Sequence, residues 1–233
     1  MLKKVDIGII GALEEEVHSL ISDLEDAETL TVGGVKMHIG SLEGRRVAIM
    51  RCGVGKVFAA VAAEALVIAT SPSLLVNTGV GGALARGLKT GDIVIADKLV
   101  QHDMDTSAIG DPVGLVSGIN KVYFEADERA VKVLSEGASA LGLNSRVATV
   151  ASGDKFIADK GEKERIVSLF GASVCEMEGA AIAHAAYLSE TPAVVIRAIS
   201  DSADEGATMD YLEFLPIAAK NSAALTRYLI KNY

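Results

Sequence analysis

Three acidic clusters stand at the ends of apolar runs of strand length. Ile7-Gly8-Ile9-Ile10-Gly11 leads into Glu14-Glu15-Glu16, and Ala172-Ser173-Val174-Cys175 leads into Glu176-Met177-Glu178. Ala193-Val194-Val195-Ile196 runs on through Arg197-Ala198-Ile199-Ser200 to Asp201. In an open α/β sheet the carboxyl ends of parallel strands form the ligand crevice, so the clusters can converge on one site. Carboxylates gathered there point to acid/base chemistry on a polar small molecule.

The elements needed to place them follow from periodicity. Strand-length apolar runs alternate with helical patterns, which predicts an α/β fold with a parallel or mixed sheet. Val5 to Ile10 reads as the first strand and Glu14 to Leu24 as the first helix, and a hairpin of Val35 to Leu42 and Arg45 to Arg51 turns at Glu43-Gly44. A helix over Lys56 to Ala69, a strand over Leu74 to Thr78 and a buried strand over Gly91 to Asp97 follow. Asp127 to Leu141 reads as helix, Val147 to Ala151 as strand, and Gly179 to Leu188 and Tyr211 to Ile230 as helices around the strand ending at Ser200. Gln101 to Tyr123 shows little periodicity and predicts a long loop of the kind that usually carries function.

With 233 residues, half of them hydrophobic, the chain supports one extensive core, and a single domain over 1–233 is expected. A net charge of -9 and the lack of any Lys/Arg block argue against nucleic acid and anionic membranes as partners. The run after Lys3-Lys4 is too short and polar for a signal peptide, and the apolar stretch Phe58 to Ala69 is too short to span a bilayer, so a soluble cytoplasmic protein is expected. Cys52 and Cys175 are isolated thiols in apolar surroundings, which predicts buried reduced cysteines.

Two glycine-rich segments invite nucleotide readings. Asn77-Thr78-Gly79-Val80-Gly81-Gly82 does not complete a dinucleotide fingerprint, because Leu84 occupies the last glycine position. Gly53-Val54-Gly55-Lys56 resembles the tail of a P-loop, but Val57 replaces the hydroxyl that would hold magnesium. Both read more simply as tight strand-to-helix turns.

Taken together, five ordered motifs resemble those of the 5'-methylthioadenosine/S-adenosylhomocysteine nucleosidases, hydrolytic members of the purine nucleoside phosphorylase superfamily. They are Ile9 to Val17, Asn77-Thr78-Gly79, Ser152 to Ile157, Glu176 to Ala183, and Arg197 to Asp201. The resemblance implies a three-layer αβα sandwich around a central mixed, twisted sheet. It also implies hydrolysis of the bond between adenine and a 5'-thio-substituted ribose, with no cofactor and no metal. Breaking that bond builds positive charge on the ribose while adenine leaves as a poor anion, so the base needs a proton and water needs activating.

By the resemblance, Asp201 protonates adenine N7, which predicts a raised carboxyl pKa, and Glu16 activates the water. Composition does not separate Glu16 from Glu14 and Glu15; the register of the motif does. Glu178 would grip the ribose hydroxyls, with Met177 beside it, Arg197 near the ribose and water, and Ser200 in the same motif as Asp201. Phe156 would stack on adenine, and Ile157 would offer main-chain groups to its edge. Val80 replaces a serine common in relatives, and Tyr211 replaces a phenylalanine of the 5' pocket. A homodimer is implied, in which Thr106 and Ile109 help close the neighbouring subunit's pocket. His102-Asp103-Met104-Asp105 contains metal-ligand types but reads as a polar loop. The alternatives are a futalosine-type nucleosidase, a phosphate-dependent phosphorylase, which needs cationic or hydroxyl donors for its anion, and a non-catalytic member of the superfamily.

Overall fold

The computed structural model describes residues 3–204 and 207–233. Its ten strands form one mixed sheet among the described residues. β1 (Ile7–Gly11) lies between two parallel neighbours, β4 (Arg45–Arg51) and β5 (Leu74–Ala83). Beyond β4 the sheet continues as an antiparallel meander through β3 (Val35–Leu42) to the edge strand β2 (Glu25–Val32).

On the other side β5 pairs in parallel with β10 (Ala193–Asp201), and its last residues pair antiparallel with β9 (Val174–Glu176). β10 pairs with β6 (Ile93–Gln101), β6 with β8 (Ser145–Ser152), and β8 with β9. Those five strands therefore close a ring, with short β7 (Tyr123–Glu125) attached outside it to β6. The ring brings the carboxyl ends of β5, β9 and β10 together.

Helices cover both faces. α1 (Glu14–Ser22), α3 (Glu128–Ala140) and α6 (Ala207–Asn232) pack on one, α2 (Lys56–Thr70) and α5 (Gly179–Leu188) on the other, and α4 (Lys160–Phe170) lies beside β8. Alternation along the strands feeds the two cores. Ile7, Ile9, Val47, Ile49, Leu74 and Val76 join Val17 and Leu20 of α1, whereas Ile10, Ala48, Met50 and Leu75 join Leu66 of α2. At Gly8 a Cβ would stand 2.3 Å from a Leu66 methyl, so glycine there lets α2 sit close on the sheet.

The hairpin and α5 have the predicted bounds, and Asp127 caps α3 by accepting from the Ala130 amide. Three elements lie outside the predicted pattern. β2 is an exposed edge rich in Asp and Glu, held in place by pairing with β3. α4 buries only Ile166 and Phe170, which leaves no continuous apolar face, and β7 spans three residues. β5 also runs on through Gly79, Gly81 and Gly82, so that glycine segment is strand rather than turn. Cys52 and Cys175 are buried and free. No helix among the described residues is long and apolar enough to cross a membrane.

Candidate active site

The three strand-end clusters meet in one pocket of about 380 Å³. Glu16, Glu176, Glu178 and Asp201 line it with Met177, Ser200, Val80, Phe156 and Tyr211.

Glu16 occupies the third position of α1, where a carboxylate can reach back to the free amides of the helix start. Its Oε2 accepts from the Ala12 and Leu13 amides at 2.7 and 3.0 Å, and Oε1 accepts from the Val80 amide at 3.1 Å. Glu14 and Glu15 are exposed, while Glu16 is 4 % exposed. Burial raises its pKa, against the opposing pull of Arg197 and the three amides. The carboxylate fits because β5 carries glycine opposite it: a Cβ on Gly79 would lie 2.5 Å from Oε1.

Glu178 precedes α5, and its Oε1 accepts from the Gly55 amide at 2.7 Å. Burial, then repulsion from Glu176, pushes its pKa up to about 7. Glu176 behaves oppositely. Although burial opposes ionisation, Arg197, Ser152 and the Glu178 and Gly179 amides hold it below its ordinary pKa. It therefore stays a buried anion while Glu178 titrates near neutrality.

Asp201 ends β10 and is 3 % exposed. Its Oδ2 accepts from the Ser200 hydroxyl at 2.8 Å and Oδ1 from the Ala203 amide at 2.9 Å. Burial raises its pKa, Asp210 and Asp204 add to the rise, and the two hydrogen bonds oppose it. A Cβ on Gly82 would lie 2.8 Å from Oδ1. Glu16 and Asp201 thus each pack against a glycine of β5, Gly79 and Gly82, and both line the one pocket.

Phe156 and Tyr211 meet edge to face with ring centroids 5.6 Å apart. Phe156 remains 42 % exposed, so a planar face is available at the pocket mouth. Arg197 and Ile157 are not among the lining residues. Arg197 lies beneath the pocket, fully buried, donating to Glu176, Asn77 Oδ1 and the Ile196 carbonyl. The Ile157 side chain packs in an apolar cluster with Leu84, Val100 and Phe170. Thr106 and Ile109 lie in the long loop away from this chain's pocket, Thr106 donating to Asp111 at 2.7 Å and Ile109 81 % exposed. In that loop Asp103 pairs with Lys56, and no group of three metal-ligand side chains gathers among the described residues.

Sequence reasoning set Glu176 in an acidic cluster and Asn77 in a motif but gave neither a role in the site. Both act through Arg197, and the signal for them was a buried arginine mid-strand, which requires acceptors on neighbouring strands. The arrangement presents carboxyls raised in pKa by burial beside one fixed anion. It can donate a proton, accept one, and favour a cation developing between them.

The phosphorylase superfamily family model matches residues 6–231. Among solved structures, the 5'-methylthioadenosine/S-adenosylhomocysteine nucleosidase of Neisseria meningitidis, in complex with methylthio-immucillin-A, is 34% identical. That match covers 98% of this chain and 99% of that one, with a TM-score of 0.95. The S. pneumoniae nucleosidase bound to a transition-state inhibitor is 37% identical, over 97% and 98% of the two chains, at a TM-score of 0.91. The futalosine hydrolase of Helicobacter pylori is 32% identical, over 100% and 99%, at 0.94.

Proposed function

The chain belongs to the phosphorylase superfamily, and we propose that it is an N-glycosyl hydrolase that splits 5'-methylthioadenosine and S-adenosylhomocysteine into adenine and the 5-thio-substituted ribose. One observation carries the choice of water over phosphate. The pocket is lined by Glu16, Glu176, Glu178 and Asp201, and no lining residue among those described is cationic. The buried Arg197 is already paired with Glu176. A phosphate dianion would meet like charge there with no cation among the lining residues to offset it, whereas water and a cationic sugar are well served.

In this reading adenine lies at the Phe156 end, and Asp201 protonates it as the glycosidic bond lengthens. Its raised pKa keeps the proton available until transfer. Glu178 accepts the ribose hydroxyls and, with Glu176 behind it, stabilises the charge growing on the ring. Glu16 orients and deprotonates the attacking water. Its three backbone donors hold the carboxylate still, so little reorganisation accompanies attack. Ser200 fixes Asp201, and Met177, Val80 and Tyr211 bound the sugar and 5' side.

Residues 1–233 act as one nucleosidase domain in a cytoplasmic homodimer that serves methionine salvage. Val57, Phe58, Val61 and Leu188 leave an exposed apolar surface on α2 and α5 that supports pairing. Ile109, exposed on its loop, is suited to reach a neighbour's pocket. The futalosine hydrolase similarity favours one second reading, hydrolysis of a futalosine-type nucleoside.

Release of the base, adenine from methylthioadenosine and S-adenosylhomocysteine and hypoxanthine from futalosine, measured with and without phosphate, tests the proposal. Release without phosphate from the thio-nucleosides is expected. Strict phosphate dependence would make the protein a phosphorylase, and release from futalosine alone would shift the substrate.

A further inference from the structure

The loop that carries Phe156 reaches the ribose side of the pocket through a side chain with no place in the chemistry described above. Asp154 Oδ1 accepts from the Lys56 backbone amide at 2.8 Å. That amide opens α2, whose preceding residue, Gly55, has no side chain to cap it. The next amide back, that of Gly55, donates to Glu178 Oε1. Asp154 is itself fixed, because its own amide donates to Asp103 Oδ2 at 2.9 Å and the other oxygen of Asp103 accepts from Lys56 Nζ at 2.5 Å. Lys56, Asp103 and Asp154 thus form a closed polar ring around the start of α2.

The Gly55–Lys56 peptide has little freedom within that ring. Gly55 sits at φ +103°, a conformation open to glycine, and a Cβ there would stand 3.1 Å from Asp154 Oδ1. Without the Asp154 bond, the first amide of α2 would turn to water and the Gly55 amide would lose its aim.

We infer that Asp154 is a positioning residue that ties the base loop to the ribose site by holding the Gly55–Lys56 peptide so that the Gly55 amide orients Glu178. The inference rests on the proposed role of Glu178 at the ribose. It makes base binding and ribose alignment two ends of one connected segment, with Phe156 two residues beyond Asp154.

The test compares Asp154→Ala and Asp154→Asn in the full chain, measuring adenine release from methylthioadenosine and its 3'-deoxy analogue, and inhibition by free adenine. Asp154→Ala should lower kcat/KM on methylthioadenosine about tenfold, the worth of one hydrogen bond to a charged group. Adenine should inhibit both variants as it does the parent. On the 3'-deoxy analogue, where Glu178 has lost a partner, the penalty should shrink towards unity, the mark of coupled groups. Asp154→Asn keeps an acceptor for the Lys56 amide and should restore most of the rate.

If Asp154→Ala does not fold, Lys56→Pro removes the same bond from the donor side at a first-turn position where proline is tolerated, with Lys56→Ala as its control. The same pattern is expected. An equal penalty on both nucleosides, a parallel loss of adenine affinity, or no penalty at all would overturn the inference. A parent protein that releases no adenine would overturn the functional reading as well, which separates the two failures.

Discussion

Replacing Gly79 with alanine should disable the proposed base while leaving the fold in place. The backbone at Gly79 lies outside the left-handed region, so alanine adds no backbone strain. Its Cβ would stand 2.5 Å from Glu16 Oε1 where ordinary contact begins near 3.4 Å, so the carboxylate must retreat by about 0.9 Å. Retreat breaks the tethers from the Ala12, Leu13 and Val80 amides that define its position. A displacement of about 1 Å in a reacting group costs on the order of a hundredfold in rate. Gly79→Ala should therefore lower kcat about a hundredfold, with KM changed only a few-fold because the base and ribose contacts lie elsewhere. Steady-state adenine release, with a thermal melt to show that the variant is folded, decides the matter. A folded variant within threefold of the parent kcat would refute the placement of Glu16 as base.

Asp201→Asn should lower kcat by about 10² to 10⁴, the range for losing a general acid, and leave adenine binding measurable by calorimetry. Glu178→Gln should cost activity and yet stabilise the fold at alkaline pH. Between pH 4.5, its ordinary pKa, and about 7, folded Glu178 holds a proton that the unfolded chain has released, so stability falls as pH rises through that window. Denaturant melts should show the variant gaining up to about 3 kcal/mol on the parent at pH 8 and little at pH 4. Arg197→Met leaves Glu176 as a buried charge without its partner and should destabilise the chain by about 3 to 5 kcal/mol in the same melts.

Part of the site was legible from local rules and part only through the family motifs. The placement of Asp201 followed from its position at the end of an apolar run. Glu16 was separated from Glu14 and Glu15 by the register of the motif alone, and the physical reason lies in the structure, where the third position of α1 sends the carboxylate back to the amides of residues 12 and 13. The glycines of β5 were not legible, since a glycine required for turn geometry and one required to admit a carboxylate look alike in a sequence. The difference appears only when Glu16 and Asp201 arrive from other elements. The closing of the sheet through β5 and β10 was hidden because it joins residues more than a hundred positions apart. β2 and α4 owe their form to pairing and to two buried side chains, which periodicity cannot register.

The central claim is that the carboxylates converge to stabilise positive charge on a sugar between them. The most direct measurement compares the affinity of an adenine nucleoside analogue carrying a protonated nitrogen in the sugar ring with that of its neutral counterpart. The account predicts binding at least about a hundredfold tighter for the cation, with most of the gain lost in Glu178→Gln. Equal affinity for the two analogues would contradict it.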